Sequence, residues 1–216
     1  VNPVEDDFCL EVEVTSNRPD CLGFIGVARE VATIVRGKLD IPDVGYDTMG
    51  ENINDITSVT VEDNVLCQRN TARIIKDVKI GPSPGWLQKK ISSIGLRPIN
   101  NIVDITNYVL MESGQPLHTF DFSRLSESRI VVRRAKKEET MEAIDGSKCT
   151  LTDDMLVIAD SQKPVAIAGI MGGKEIEVTD TTKNILLESG FFDPRCVRRA
   201  SRKLGLNSDS SYRFER

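Results

Sequence analysis

From residue 130 onward the sequence consists of short β-like runs separated by turn signals, and this pattern restricts the fold more than any other feature. The turn pairs include Asp145-Gly146 and Gly172-Gly173. The runs occupy residues 130–133, 141–144, 156–159, 165–168 and 184–187, and similar strand-like segments precede them at 58–61 and 72–80. Short runs with intervening turns predict mixed or antiparallel sheet.

The N-terminal part predicts a strand, a loop and a helix. Residues 8–14 alternate between apolar and polar side chains, which is the period of a half-buried strand. A turn-rich run follows, and Asp20 is the expected N-cap of a helix that Gly37 would end. Residues 40–57 lose this pattern and are rich in Pro, Gly, Asp and Asn, so we expect a linker there.

Three further helices have recognisable ends. Their expected caps and stops are Ser83 with Pro84 and Gly95 for the first, Gly114 for the second, and Asp193 with Pro194 and Gly205 for the last. The predicted class is therefore α+β, with mixed or antiparallel β-sheets and flanking helices. We expect a leading segment over 1–39, the linker over 40–57 and one domain over 58–216.

Composition narrows the class of protein. The chain has 216 residues, 39% of them hydrophobic, and its formal net charge is −5, which argues against general nucleic-acid binding by the chain as a whole. We expect no membrane association, since no long apolar stretch occurs.

The five cysteines contain no CxxC pair and His118 is the single histidine, so a disulfide framework, a zinc site and a multi-histidine metal centre are not expected. A cytoplasmic location fits best, and a chain that begins at Val1 is expected to be a piece of a longer polypeptide.

Positive charge is concentrated at the C-terminal end. From Phe191 onward there are seven basic and three acidic residues, a net charge of +4. Most of these basic residues fall on the last predicted helix. They form either a solvated helix face or a local contact for polyanions, and the sequence leaves both open.

General catalytic motifs give little. The chain has no GxxxxGK phosphate loop, no GxSxG, no HExxH and no GxGxxG motif. The glycines of residues 169–173 are better explained as a turn than as a phosphate cradle. A lone histidine such as His118 is more often structural than catalytic. Glu188, after a short apolar run, is either a surface charge or a buried acceptor, and general residue statistics favour the surface.

Several longer runs of residues, taken in their order along the chain, are more specific for a protein family than these short motifs. In order they are Ser83-Pro84-x-Trp86-Leu87, Thr106-Asn107-Tyr108-Val109, Gly114-Gln115-Pro116-Leu117-His118-x-Phe120-Asp121, Ala168-Gly169-Ile170-Met171-Gly172-Gly173, Leu186-Leu187-Glu188-Ser189 and Arg213-Phe214-Glu215-Arg216. The chain resembles the β subunits of bacterial phenylalanyl-tRNA synthetases. Residues 58–216 resemble the B3/B4 editing module of that family, and residues 11–36 resemble the segment that leads into it.

This resemblance implies proofreading, the hydrolysis of tyrosine wrongly esterified to tRNA(Phe). An apolar pocket rejects an added hydroxyl only about a hundredfold, whereas a site that hydrogen-bonds the hydroxyl discriminates by roughly ten-thousandfold or more. The resemblance also implies that tRNA(Phe) and the α subunit, in an α2β2 assembly, are partners, that DNA is not, and that ATP and Mg belong to an aminoacylation site outside this region. No cofactor is expected within it.

The resemblance assigns candidate site residues. Those expected at the substrate are Glu188, His118, Thr106, Asn107, Gly169, Arg97, Ser208 and Ser210, with Asp209 in the same closing stretch. Glu188 is expected to interact with the tyrosine phenol, and Gly169 to leave room for the ring. No nucleophile with an adjacent base is evident, so we expect an attacking water, with His118, Thr106 and Asn107 as candidates for positioning it.

The chain departs from the family pattern at four positions. They are Gln68, Asn70, Thr119 and Ser210, where proline, tyrosine, alanine and alanine are common. Two alternative functions remain open at this stage: a module that docks tRNA or a partner subunit without hydrolysis, and a freestanding relative that acts on an amino-acid derivative.

Overall fold

The computed structural model describes residues 2–4, 7–48 and 50–216, and these form two compact units. The first comprises Val1–Tyr46 with Ile80–Gln115, and the second comprises Asp47–Lys79 with Pro116–Arg216. Helices and mixed sheets occur together, as the predicted α+β class requires. The predicted domain limits stay a prediction. No helix among the described residues is both long and apolar enough to cross a bilayer.

The first unit consists of a small antiparallel pair of strands and three helices. These are β1 (Asn2–Val4), β2 (Asp7–Cys9), α1 (Phe24–Val35), α2 (Gly85–Ser93) and α3 (Asn101–Ser113). The predicted strand over 8–14 is wrong beyond Cys9, and the side chains of Leu10 and Val12 are exposed. Alternation stabilises a strand only where a neighbour pairs its backbone, and among the described residues 10–14 find none.

Helix α1 begins and ends at other residues than predicted. The Asp20 carboxylate accepts hydrogen bonds from Arg18 inside a 3₁₀ turn, Pro19–Leu22, and the N-cap is Gly23, which offers no side chain. At the other end Arg36, not Gly37, adopts the left-handed conformation, with φ of 54°. The Arg18 guanidinium holds Asp20 in place, so this carboxylate cannot serve as the cap.

Helices α2 and α3 are joined through a buried carboxylate. Ser83 does not cap α2 as predicted, because Pro84 is the N-cap and the Ser83 hydroxyl donates to Asp104 at 2.5 Å. The backbone N–H of Ile99 donates to the other oxygen of Asp104 at 2.9 Å. The predicted end of α3 at Gly114 is confirmed, since this glycine has φ of 80°.

The second unit contains two main sheets. Its strands are β3 (Ser58–Val61), β4 (Cys67–Ile75), β5 (His118–Asp121), β6 (Arg129–Arg134), β7 (Thr140–Glu142), β8 (Lys148–Thr150), β9 (Leu156–Ala159), β10 (Pro164–Ile167), β11 (Met171–Gly172) and β12 (Ile185–Phe192). One sheet has the order β11-β10-β9-β6-β3, another β4-β12-β5, and β7 pairs with β8. Each predicted run overlaps a strand, but the run over 72–80 is wrong beyond Ile75, where β4 ends. In addition, β4 begins earlier and β12 continues further than the sequence indicated.

Helices α4 (Pro194–Leu204) and α5 (Asp209–Phe214) close the second unit. The predicted frame of α4 is confirmed: the Asp193 carboxylate accepts from the N–H of Cys196 at 2.7 Å, and Gly205 has φ of 68°. The inner face of α4 packs into a core shared with both sheets. That core includes Phe120, Ile130, Val132, Ile158, Leu186, Phe192, Val197 and Ala200.

Candidate functional site

His118 and Glu188 lie opposite each other on paired strands. β5 and β12 are antiparallel, with His118 in register with Glu188. Residues in register point to the same face of a sheet, with Cβ atoms about 4.5–5.5 Å apart. The fold therefore brings together two titratable side chains that are 70 positions apart by their numbers in the sequence.

Both side chains line a small cavity between the two main sheets and α5. The cavity volume is about 80 Å³. Its wall consists of Leu117, His118, Ile158, Ala166, Ile167, Gly169, Ile170, Met171, Gly172, Glu188, Phe192, Ser210 and Phe214. Most of these are apolar, so the site combines an apolar wall with a few polar groups, as small-molecule sites usually do.

Glu188 is buried in the middle of β12, with 4% of its surface exposed. The surface location favoured by its sequence context is therefore wrong, because the strand continues for four residues beyond it. The side-chain amide of Asn70 donates to its carboxylate at 2.6 Å. Burial raises the pKa of Glu188 to about 7, and the hydrogen bond from Asn70 opposes that rise. Near neutral pH both the charged and the protonated form of this carboxyl are therefore populated.

A glycine leaves the space that the Glu188 carboxylate occupies. A Cβ on Gly190 would lie 2.9 Å from its Oε1 and 2.3 Å from the ring of Phe192. Gly190 pairs with Asn70 across the strands. Because Gly190 has no side chain, the Asn70 amide can pass over it to reach the Glu188 carboxylate. The absence of a Cβ at this position is thus a requirement of the site.

His118 is neutral at physiological pH. Burial lowers the pKa of its imidazole to about 4. The ring packs edge-on against Phe120, with centroids 4.6 Å apart, and a Cβ on Gly172 would lie 2.4 Å from it. A neutral imidazole presents one N–H donor and one acceptor nitrogen, so it can orient a water or a hydroxyl group.

Helix α5 closes another side of the cavity. The Ser210 hydroxyl donates to the carbonyl of Gly169 at 3.2 Å, and the Ser208 hydroxyl donates to the carbonyl of Ile170 at 2.7 Å. Ser210 lines the cavity, whereas Ser208 anchors the helix from outside the lining. Asp209 is exposed and pairs with Arg213 at 3.2 Å.

Gly169 is confined by three side chains. It has φ of 71°, and a Cβ there would lie 3.0 Å from Phe214 and 3.1 Å from both Phe192 and Val197. It belongs to a turn between β10 and β11, as the sequence indicated, and not to a phosphate cradle. A side chain at this position would displace the aromatic wall.

The remaining sequence candidates belong to the first unit. Thr106 and Asn107 lie on α3, where the Thr106 hydroxyl donates to the carbonyl of Val103 at 2.8 Å. Arg97 is exposed in the segment between α2 and α3. Their part in the site stays a prediction, whereas His118, Glu188, Gly169 and Ser210 share one cavity in the second unit.

The model of the family described as "B3/4 domain" matches residues 66–216, which is most of the chain. The chain belongs to this family. That match includes every residue of the cavity wall, and the resemblance seen in the sequence is confirmed.

This B3/4 domain chain is similar to curated β subunits of phenylalanine–tRNA ligase. It is 50% identical to that of Rhodopirellula baltica over 99% of the chain, and 47% identical to that of Protochlamydia amoebophila over 100%. It covers 31% and 27% of those two proteins, so it spans about a third or less of their length. Among solved structures it resembles an N-terminal fragment of the phenylalanyl-tRNA synthetase β subunit from Pyrococcus horikoshii, with a TM-score of 0.50, 16% identity, and coverage of 88% of this chain and 59% of that one. At that identity the likeness shows the fold alone.

Sequence reasoning missed Phe192 of the B3/4 cavity wall and two residues beside Glu188, Asn70 and Gly190. Asn70 was noted only as a departure from the family pattern, and Gly190 and Phe192 were not singled out. A detectable signal existed, because Gly190 and Phe192 follow Glu188 at intervals of two and so share its face on a strand. Asn70 could not be found this way, since only strand pairing brings it to Glu188.

The cavity of the B3/4 domain supports proton exchange and hydrogen bonding. Among the described residues no group of three or more His, Cys, Asp or Glu side chains is arranged to hold a metal ion. Its titratable groups are a carboxyl with a pKa near neutrality and a neutral imidazole, both beside aromatic rings.

Proposed function

We propose that this chain is the editing region of a phenylalanine–tRNA ligase β subunit and that it hydrolyses tyrosine mischarged to tRNA(Phe). The observation that carries the proposal is the pairing of a buried Glu188 with a half-buried His118 in a largely apolar cavity walled by Phe192 and Phe214. The names of the relatives and the B3/4 family match support it.

The geometry suits recognition of a phenol. The rings of Phe192 and Phe214 meet edge-to-face with centroids 5.0 Å apart, and a third aromatic ring packs favourably on such a wall. The Glu188 carboxylate accepts a hydrogen bond from a phenolic hydroxyl, and phenylalanine leaves that buried acceptor without the new partner. A buried polar group left unpaired is what gives hydroxyl-reading sites their discrimination.

The cavity must widen to admit the ring. Its volume of about 80 Å³ is smaller than the roughly 150 Å³ of an engineered protein cavity that binds benzene. Helix α5 supplies Ser210 and Phe214 to the wall and has only six residues, and two serine hydroxyls attach it to the turn at residues 169 and 170. Outward movement of Ser210 and Phe214 on this helix is the simplest way to enlarge the site.

For hydrolysis, we assign His118 the positioning of the attacking water. Its acceptor nitrogen is free of a proton at neutral pH, but a pKa of about 4 makes it a weak base. Orientation of the water is therefore its main contribution, and a hydroxyl of the terminal ribose is the candidate to assist proton transfer. Thr106, Asn107 and Arg97 are proposed to contact the aminoacyl end of the tRNA.

The rest of the proposed enzyme lies outside the chain. The α subunit in an α2β2 assembly, and the aminoacylation site with its ATP and Mg, would belong to the longer protein. A cytoplasmic location follows from the same proposal.

Calorimetric binding of tyrosine and phenylalanine to the 216-residue chain tests the pocket. Tyrosine is expected to bind at least tenfold more tightly, and Glu188→Ala is expected to abolish that preference. The matched control is Glu177→Ala, which removes an exposed carboxylate outside the cavity.

Deacylation tests the reaction itself. Tyr-tRNA(Phe) is expected to be hydrolysed faster than Phe-tRNA(Phe), both by the chain and by the assembled ligase that contains it, and a substrate without the adjacent ribose hydroxyl is expected to react more slowly. Tyrosine binding without hydrolysis in either setting would contradict the editing proposal and favour a docking module.

A further inference from the structure

We propose that the outer face of α4 binds the phosphate backbone of RNA. The face, here called the α4 basic stripe, consists of Arg195, Arg198, Arg199, Arg202 and Lys203. These residues are spaced by three and four positions, so they project from one side of the helix, and all are exposed. The stripe extends over about 12 Å, at a rise of 1.5 Å per residue.

Few acidic side chains pair with the positive charges of the stripe. Within the described residues Arg195, Arg198, Arg199 and Arg202 form no side-chain ion pair or hydrogen bond, and only Lys203 pairs, with Asp154 at 3.4 Å. Helix α4 contains no acidic residue. Like charges four positions apart disfavour a helix, whereas an ordinary solvated face mixes both signs. Four unpaired guanidinium groups are therefore explained better by an anionic partner than by solvation.

The chemistry of the stripe favours RNA over a membrane surface. The guanidinium group matches phosphate oxygens with two parallel hydrogen bonds. A membrane-bound helix needs an apolar face directed at the lipid, but the apolar residues Cys196, Val197 and Ala200 are buried in the core. The remainder of the chain is acidic, which repels RNA elsewhere and confines it to the stripe.

The stripe lies behind the cavity wall. On the opposite face of α4, Val197 stands 3.1 Å from the position of a Cβ on Gly169, and Gly169 lines the cavity. About one helix diameter, roughly 10 Å, thus separates the stripe from the cavity. If the proposed editing function holds, the RNA is the aminoacylated tRNA, and backbone contacts at the stripe would hold its 3′ end within reach of His118 and Glu188.

Binding of a hairpin RNA with a single-stranded 3′ end to the 216-residue chain, measured over a salt series, tests the inference. The double variant Arg198→Glu/Arg202→Glu is compared with Lys136→Glu/Lys137→Glu, which reverses the same number of charges on an exposed loop of the same unit. The stripe variant is expected to bind at least tenfold more weakly and the loop variant less than threefold. Arg198→Gln/Arg202→Gln is expected to lower the slope of log K against log salt by about 1.4–1.8, since each phosphate contact contributes about 0.7–0.9.

Equal weakening in both double variants would show a non-specific charge effect and would overturn the inference, as would unchanged binding in the stripe variants. Binding to anionic vesicles in place of the RNA would also overturn it. Circular dichroism of the same variants reports on folding, and tyrosine binding reports on the cavity. Stripe-dependent RNA binding without tyrosine binding or hydrolysis would sustain the inference while the editing proposal failed.

Discussion

The side-chain amide of Asn70 donates a 2.6 Å hydrogen bond to the carboxylate of Glu188, 118 positions further along the chain. This bond stabilises the charged form of a carboxyl that burial drives toward the neutral form. The other amide atom, Oδ1 of Asn70, is buried and has no hydrogen-bond partner. Burial therefore sets the direction of the Glu188 pKa shift, and the hydrogen bond from Asn70 limits its size.

Replacing Asn70 with leucine is expected to raise the pKa of Glu188 by about one unit above its value near 7. A hydrogen bond to a charged group contributes about 1.5–3 kcal/mol, and one pKa unit corresponds to about 1.4 kcal/mol. Carboxyl-detected NMR titration measures the change. Gln68→Leu, on an exposed position of the same strand, is the control, and an equal shift in both variants would show that Asn70 has no specific role.

The preference for tyrosine over phenylalanine is expected to strengthen as pH rises from 6 to 8. A carboxylate accepts a hydrogen bond from phenol more strongly than a protonated carboxyl does, and the pKa of Glu188 lies near 7. Binding calorimetry over this range measures the effect. In Glu188→Gln the preference should not vary with pH, and in Asn70→Leu the rise should move to higher pH. A pH-independent preference in the unmodified chain would contradict the role of Glu188.

The dependence of stability on pH is expected to reveal Glu188 and His118 as opposing groups. Folding raises the pKa of Glu188 from 4.5 to about 7, so its contribution is present below 4.5 and is lost as pH rises through 7. Folding lowers the pKa of His118 from 6.5 to about 4, so its contribution is present above 6.5 and is lost as pH falls through 4. Between about pH 4.5 and 6.5 the two contributions to the unfolding free energy change with pH in opposite directions and nearly cancel.

A variant that removes one of the two groups should show how the other group makes the unfolding free energy depend on pH. Between about pH 4.5 and 6.5 the unfolding free energy of Glu188→Gln, relative to the unmodified chain, is expected to rise with pH by up to about 1.4 kcal/mol per pH unit. That of His118→Gln is expected to fall with pH over the same range by a similar amount. Urea unfolding at several pH values measures both slopes. Glu177→Gln should follow the unmodified chain, and slopes of the same sign in the two site variants would refute the assignment.

Gly169→Ala is expected to abolish tyrosine binding and to lower stability by about 1–3 kcal/mol. The new Cβ would have positive φ and would press on Phe214, Phe192 and Val197. Gly205→Ala provides the control, because Gly205 has φ of 68° but nothing lies within 4 Å of its Cβ position. Both variants incur backbone strain, yet only the first crowds the cavity. Loss of tyrosine binding in both would attribute the effect to general destabilisation.

Local signals in the sequence predicted much of the secondary structure. The Asp193, Pro194 and Gly205 frame of α4 was identified because capping depends on residues within a few positions of one another. The predicted strand over 8–14 failed beyond Cys9 because a strand needs a partner, which its own alternation cannot supply. Likewise Asp20 and Ser83 are suitable caps by residue type, but Arg18 and Asp104 bind their side chains.

The sequence by itself determined the α+β class, the turn that contains Gly169, the concentration of basic residues on α4 and, through its long strings, the family. The tertiary structure decided which groups form the site. Pairing of β12 with β5 and β4 set His118 and Asn70 beside Glu188, and burial then shifted both titratable groups away from their solution values. A pKa depends on the solvent and charges that surround a group, and long-range strand pairing fixes those surroundings, so no local stretch of sequence contains that information.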